Sequence, residues 1–388
     1  MSEGKVFQSE EKVFQNDRFS QALSICGIKR NNLSAYCDIS LPAITSYIKG
    51  NRKPTFEVVK RISEYLKVNE MFFYTPKPKL FIRNVAFRKS KTTPKENLIQ
   101  ANELANNLTE IKNNIIDKYV DIPKVNLPIF DYQISLNENS INKGEIENIA
   151  IKTREFWNLS NAPISNMIKL CESNGIFVFK FEKTDNLKSK IDAFSWWSDE
   201  KPMIFLTKNK TAVRSRFDIA HELGHLILHK NINMDELDDK QQKIIEKEAD
   251  YFAGCFLLPS RSLIQEYICH NLQALFNLKR RWKMSVQAIA ARLKDLNLID
   301  ENQTQYIYKQ LSFNHYRQQD PVDNEMQHEE MYLFKEITKT LGDKLDYTNE
   351  IMIKNIYNDL GFIKNEINKD NIIEFRKFQS SQNKSSYS

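Results

Sequence analysis

Apolar residues recur at three- and four-residue intervals along most of this chain, and only one region breaks into short alternating runs. From Arg18 to Val68 that spacing predicts four or five short helices. Their inward positions are Phe19, Ala22, Leu23 and Cys26 on the first and Leu33 and Tyr36 on the second. Ile44 and Tyr47 follow on the third, then Phe56, Val59, Ile62 and Leu66. Ser40 is placed to cap the third helix, with Pro42 near its first turn and Gly50 as terminator. Leu98, Ala101, Leu104, Leu108, Ile111, Ile115 and Tyr119 predict a long amphipathic helix. It would pack against the following domain, a helix-paired homodimer being its second use. A further helix runs from Ile146 to Trp157, after which GIFVFKF, IDAFSWWS and PMIFLT predict a small sheet. Met203 to Thr207 is expected to be its exposed strand.

Helices return after the sheet. They include RSRFDIAHELGHLILH, EKEADYFAGCFLLP and a unit starting at Met284, Ser285 and Val286. Residues 320–375 are charged and expected to be helical around Leu333, Ile337, Leu341, Ile351, Ile353, Ile356 and Leu360, and the last ten residues lack apolar anchors. The fold class is mainly α with a small β-sheet, an α+β arrangement. The expected organisation is a helical domain over 1–75, a basic connector and amphipathic helix over 76–125 and a sheet-containing domain over 126–265. A helical region over 266–375 and a tail over 376–388 complete it.

The chemistry concentrates between Arg214 and Pro259. His221 and His225 are four residues apart, which on a helix stacks both imidazoles on one face about 6 Å apart along the axis and lets them share one Zn²⁺. Glu222 then lies beside the open side of the metal, as suits a general base taking a proton from the attacking water. His229 continues the stripe, but two turns place it about 12 Å from His221, too far for bonds of about 2 Å to one ion. Glu246, Ala249, Asp250 and Ala253 share one face of the next helix, so Glu246 is the expected third ligand. Asp250 is placed to support a ligand histidine, the two alanines allow close packing, and Glu248 is expected to point away.

These residues carry a family resemblance. HELGHLILH preceded by RF, followed by E-x-x-A-D-x-F-A and LLP, resembles the ImmA/IrrE family of zinc metallopeptidases. The likeness extends back through TREFWNL, SNGIFVF and KIDAFSWW. It implies that His221, His225 and Glu246 hold zinc, that Glu222 is the catalytic base, and that the substrate is a transcriptional repressor.

Charge adds a partner. Residues 1–100 carry 18 Lys and Arg against 9 Asp and Glu, so they hold +9 while the remainder is near −3. In the same region SLPAITSYIKGNRKP resembles the recognition helix and following loop of an Xre-type helix-turn-helix. That resemblance implies an operator-like double-stranded DNA partner. Ser40, Leu41, Pro42, Thr45 and Ser46 would face base edges, while Lys49, Asn51, Arg52 and Lys53 would hold phosphates. Asp38 stands where a turn glycine is usual, and Asp tolerates the left-handed conformation that such a turn needs.

Five cysteines, odd in number and without CxxC spacing, argue against a disulfide framework, and hydrophobic residues at 41% suffice for real cores. No apolar leader or spanning stretch appears, which points to the cytoplasm and to no membrane partner. The combined expectation is a zinc endopeptidase fused to a DNA-binding domain, acting on a repressor. The alternative is a non-proteolytic DNA-binding regulator whose metal domain senses zinc or binds a partner, as in a toxin–antitoxin pair.

Overall fold

The computed structural model describes residues 13–333 apart from 67, 69, 78–81, 88–98, 100–101, 104, 108, 111, 114–121, 135–140, 182–192, 199, 208–209 and 234–235. The apolar positions expected on the amphipathic helix, and those expected beyond Leu333, lie outside this set.

Four helices open the chain: α1 (Asn16–Cys26), α2 (Arg30–Cys37), α3 (Leu41–Ile48) and α4 (Phe56–Leu66). Phe19, Leu33, Ile44, Tyr47, Val59, Ile62 and Leu66 close into one core, joined by Phe72 and Phe73 from a 3₁₀ turn. Asp38 ends α2 at φ 51°, so the expected left-handed turn is present without glycine. The Ser40 hydroxyl accepts the Ala43 N–H at 3.3 Å and starts α3. Two inward expectations fail. Phe56 opens α4 one turn before the first buried position, Val59, and remains 58% exposed. Tyr36 is also exposed, but it stacks on Tyr65 at 4.4 Å between centroids.

The sheet has the order β1-β3-β4-β2, formed by β1 (Ile82–Phe87), β2 (Phe177–Phe181), β3 (Ala193–Ser198) and β4 (Lys201–Thr207). β3 pairs antiparallel with both β1 and β4, while β2 and β4 are parallel. Met203–Thr207 is therefore an interior strand with neighbours on both sides, not the exposed strand expected from its sequence. A strand buried on both faces and both edges reads as a continuous apolar run, as does a buried edge strand, so composition could not separate the two.

On one face the sheet receives α7 (Ala212–Leu228), backed by α8 (Asp239–Leu257), with α5 (Lys143–Phe156) and α6 (Met167–Ser173) alongside. One core cluster runs from Ile146 to Leu311 and takes in residues of α9 (Ser260–Glu266), α10 (Leu272–Trp282), α11 (Val286–Asp295) and α12 (Glu301–Phe313). The other face carries a stack of Phe179, Phe205 and Phe194, with centroid spacings of 5.5 and 4.8 Å. The connector covers this face: the Thr109 hydroxyl lies 3.5 Å from Met203 Sδ, and the Lys112 ammonium sits 5.6 Å from the Phe177 ring centre. Packing against the following domain, as expected, is thus where the described part of this segment goes.

Residues 326–331 are not helical, contrary to expectation. The Glu329 carboxylate accepts the Met167 and Ile168 N–H groups and pairs with Arg216, while Glu172 accepts the N–H groups of Tyr332 and Leu333. These tertiary partners hold the backbone extended across α6 and β2, overriding local helical preference.

One ion pair binds the front domain to the connector. Arg18, fully buried, donates to both Glu110 oxygens at 2.7 and 2.6 Å, to the carbonyls of Thr75 and Pro76, and to Gln21 Oε1. Replacing Glu110 by leucine leaves this guanidinium buried without its carboxylate, which should cost about 3–5 kcal/mol of stability. The Arg18→Met/Glu110→Leu double variant should recover most of that loss in denaturant unfolding; simple additivity would show that the pair is not coupled.

Candidate metal centre

Nearly every residue of α7 is buried, because the helix lies between the sheet and α8. It packs tightly against α8 at Gly224. A Cβ there would sit 3.1 Å from Phe252 Cδ1 and 3.3 Å from the Cα of Ala249. This contact brings Glu246, one turn before Ala249, to the histidine face of α7. His221 Nε2 and His225 Nε2 are 3.0 Å apart, and the Glu246 oxygens lie 3.4 and 3.5 Å from them.

Three donors on one ion at about 2.1 Å would stand roughly 3.4 Å from one another in a tetrahedral site, so the spacing fits a small divalent cation. The donor set itself also asks for positive charge. Burial, the largest influence, opposes charge on His221, yet the Asp250 and Glu246 carboxylates lift its pKa to about 10. Burial likewise opposes ionisation of Glu246, but hydrogen bonds from His221 and His225 draw it well below the usual carboxylate range. Two imidazoles and a carboxylate with one side open are a combination found in catalytic rather than closed structural zinc sites. Asp250 Oδ1 stands 2.8 Å from His221 Nδ1, on the ring nitrogen facing away from Glu246.

Glu222 is fully buried beside the two histidines. Its Oε2 accepts the Ser195 hydroxyl at 2.7 Å, whereas Oε1 has no hydrogen-bond partner among the described residues. Burial pushes its pKa up, partly offset by His225 and His221. Ser195 comes from β3, whose six residues are all buried. Two serines, Ser195 and Ser198, interrupt that apolar run, and neither composition nor alternation could show which of them faced α7.

Glu248 is not among the three converging donors, yet it does not face solvent. It is 1% exposed, and its Oε2 lies 3.0 Å from His229 Nε2 while its Oε1 accepts the Tyr132 hydroxyl at 2.8 Å. Burial raises Glu248 to about 7. His229 in turn places Nδ1 2.9 Å from His225 Nδ1, and burial holds its pKa well below the usual histidine value. The spacing of His229 from His225 repeats that of His225 from His221, a signal present in the sequence; Tyr132 sits in a loop and gave none.

The expected DNA-facing residues are not brought to this centre. Ser40, Leu41, Pro42, Lys49, Asn51, Arg52 and Lys53 are exposed and Thr45 and Ser46 partly so, on and after α3. The Thr45 hydroxyl donates to the Leu41 carbonyl at 3.0 Å. None of the five cysteines forms a disulfide among the described residues, four of them are buried, and no described helix is long and apolar enough to cross a membrane.

Comparison with known proteins yields two family matches. Residues 171–294 match the IrrE N-terminal-like domain, a peptidase family, and residues 26–73 match a helix-turn-helix family. The chain thus carries, in order, a segment similar to helix-turn-helix domains and one similar to the IrrE N-terminal-like domain, and the latter match spans α7 and α8. No curated protein matches. Among solved structures, a Mycobacterium tuberculosis transcriptional regulator is 19% identical with a TM-score of 0.28, over 40% of this chain and 47% of that one. The chain therefore covers about half the length of that protein.

Purified protein should hold close to one zinc. Losing an outer-shell partner typically weakens a metal site about 10–100-fold, so Asp250→Ala should fall in that range and Glu246→Ala beyond it in chelator competition. A Glu246 variant that retains zinc as well as wild type would remove this residue from the ligand set.

Proposed function

We propose that this chain is a zinc-dependent endopeptidase and DNA-binding regulator of the cytoplasm, whose substrate is a transcriptional repressor. The observation that carries the catalytic reading is Glu222: a fully buried carboxylate with one oxygen fixed by Ser195 and the other left without a partner beside His221, His225 and Glu246. A site that only sensed zinc would have no use for a desolvated carboxylate in that position. In this reading His221, His225 and Glu246 hold the ion, and Asp250 orients His221. Bound zinc would supply Lewis acidity, polarising the scissile carbonyl and acidifying the attacking water.

The protein's own groups do the rest. Glu222 takes the water's proton at Oε1 while Ser195 holds Oε2 by a hydrogen bond, and the acid so formed gives that proton to the leaving amine. The family match over α7 and α8 supports the peptidase assignment, and the ImmA/IrrE likeness supports a repressor as substrate. The helix-turn-helix match supports DNA binding through the exposed face of α3, with Lys49, Asn51, Arg52 and Lys53 on phosphates.

Glu222→Gln retains shape and leaves the three donors intact, but the amide cannot accept the proton. Cleavage of a co-expressed repressor should fall by about two to four orders of magnitude with zinc content unchanged. Derepression that persists in this variant, with no fragment in either strain, would favour the sensing reading. Separately, Arg52→Ala/Lys53→Ala should weaken binding to every operator tried and reduce the salt slope by about 2, without altering turnover on free substrate.

A further inference from the structure

This inference rests on the zinc reading above and concerns how His225 is held. If Nε2 of His225 faces the ion, its single hydrogen must be on Nδ1. That atom has one neighbour, His229 Nδ1 at 2.9 Å, which must then accept. His229 consequently carries its own hydrogen on Nε2, pointing at Glu248 Oε2 3.0 Å away. The other Glu248 oxygen takes the Tyr132 hydroxyl at 2.8 Å. One placement of protons satisfies all four residues. The reverse placement puts the His225 hydrogen on Nε2, aimed at His221 Nε2 3.0 Å away, and leaves no lone pair for a cation.

We propose that His229, Glu248 and Tyr132 form a positioning relay that locks His225 into its metal-binding tautomer and orientation. The side chains of His225, His229 and Glu248 are 3%, 1% and 2% exposed, so water cannot replace a missing member. The partner of His221 differs in setting: Asp250 is 45% exposed. The third histidine of the stripe, too distant to be a ligand, thereby acts on the metal through the second, and Glu248 acts through both.

The test compares His229→Phe, which keeps ring volume but has neither nitrogen, with His229→Gln, which keeps one acceptor and one donor. Full-length metal-free protein is titrated with zinc against a chromophoric chelator, and its melting without metal is recorded for each variant. The phenylalanine variant should bind zinc about 10–100-fold more weakly and the glutamine variant within about threefold of wild type. Unchanged affinity in the phenylalanine variant, or equal loss in both, would overturn the relay. Should the phenylalanine variant not fold, Glu248→Gln replaces it, with about a tenfold loss expected and wild-type affinity overturning the proposal. Wild-type protein that takes up no zinc would defeat the metal site itself, an outcome distinct from either.

Discussion

The close approach of two helices is the constraint on which the rest depends. Gly224 presents no side chain to α8, and Ala249 presents only a methyl, so the backbones meet where Phe252 fills the remaining space. Any larger residue at Gly224 would have to displace Ala249 backbone. Because the contact is set between His221 and His225 on one helix and between Glu246 and Asp250 on the other, it decides whether three donor atoms converge. Ligand geometry must hold to a few tenths of an ångström for a small cation, and contact between backbones supplies that tolerance better than contact through flexible side chains. The sheet then matters as the floor that keeps α7 from moving, with Ser195 as its one polar link to Glu222.

Burying so many ionisable groups would be costly if any stood alone. His221 has Asp250, His225 has His229, His229 has Glu248, and Glu248 has Tyr132. Glu222 Oε1 is the exception, a buried oxygen beside the donor set with no hydrogen-bond partner among the described residues. The surrounding groups are arranged to be immobile, while this one oxygen has no partner to leave.

What could be read from the sequence follows from locality. Histidines four residues apart share a helix face through helical geometry alone, and the i, i+3, i+4 pattern of Glu246, Ala249 and Asp250 places them together by the same rule. Ser40 capping α3 and Asp38 turning left-handed are equally local. Strand order is not. β4 became interior because β3 and β2 chose its two edges, a choice no residue of β4 encodes. The partners of Glu248 were hidden for a related reason: its position on α8 is read against one neighbouring helix, whereas they come from the end of α7 and from a loop more than a hundred residues earlier. Phe56 and the segment 326–331 show the same limit, since an apolar residue can fall beyond the core's edge and a charged stretch can be held extended by distant helix N–H groups.

The connection between the two matched regions is structural and not a tether. Arg18 anchors the helix-turn-helix to Glu110, residues close to Glu110 lie on the aromatic face of the sheet, and the connector also contributes β1 to the sheet's edge beside β3. A flexible linker would let the front domain move without consequence for the site. Here the same segment pairs with the strand whose serine holds Glu222. β3 is paired on both sides within the sheet, by β1 and β4. β1 in turn belongs to the segment that joins the sheet to the helix-turn-helix.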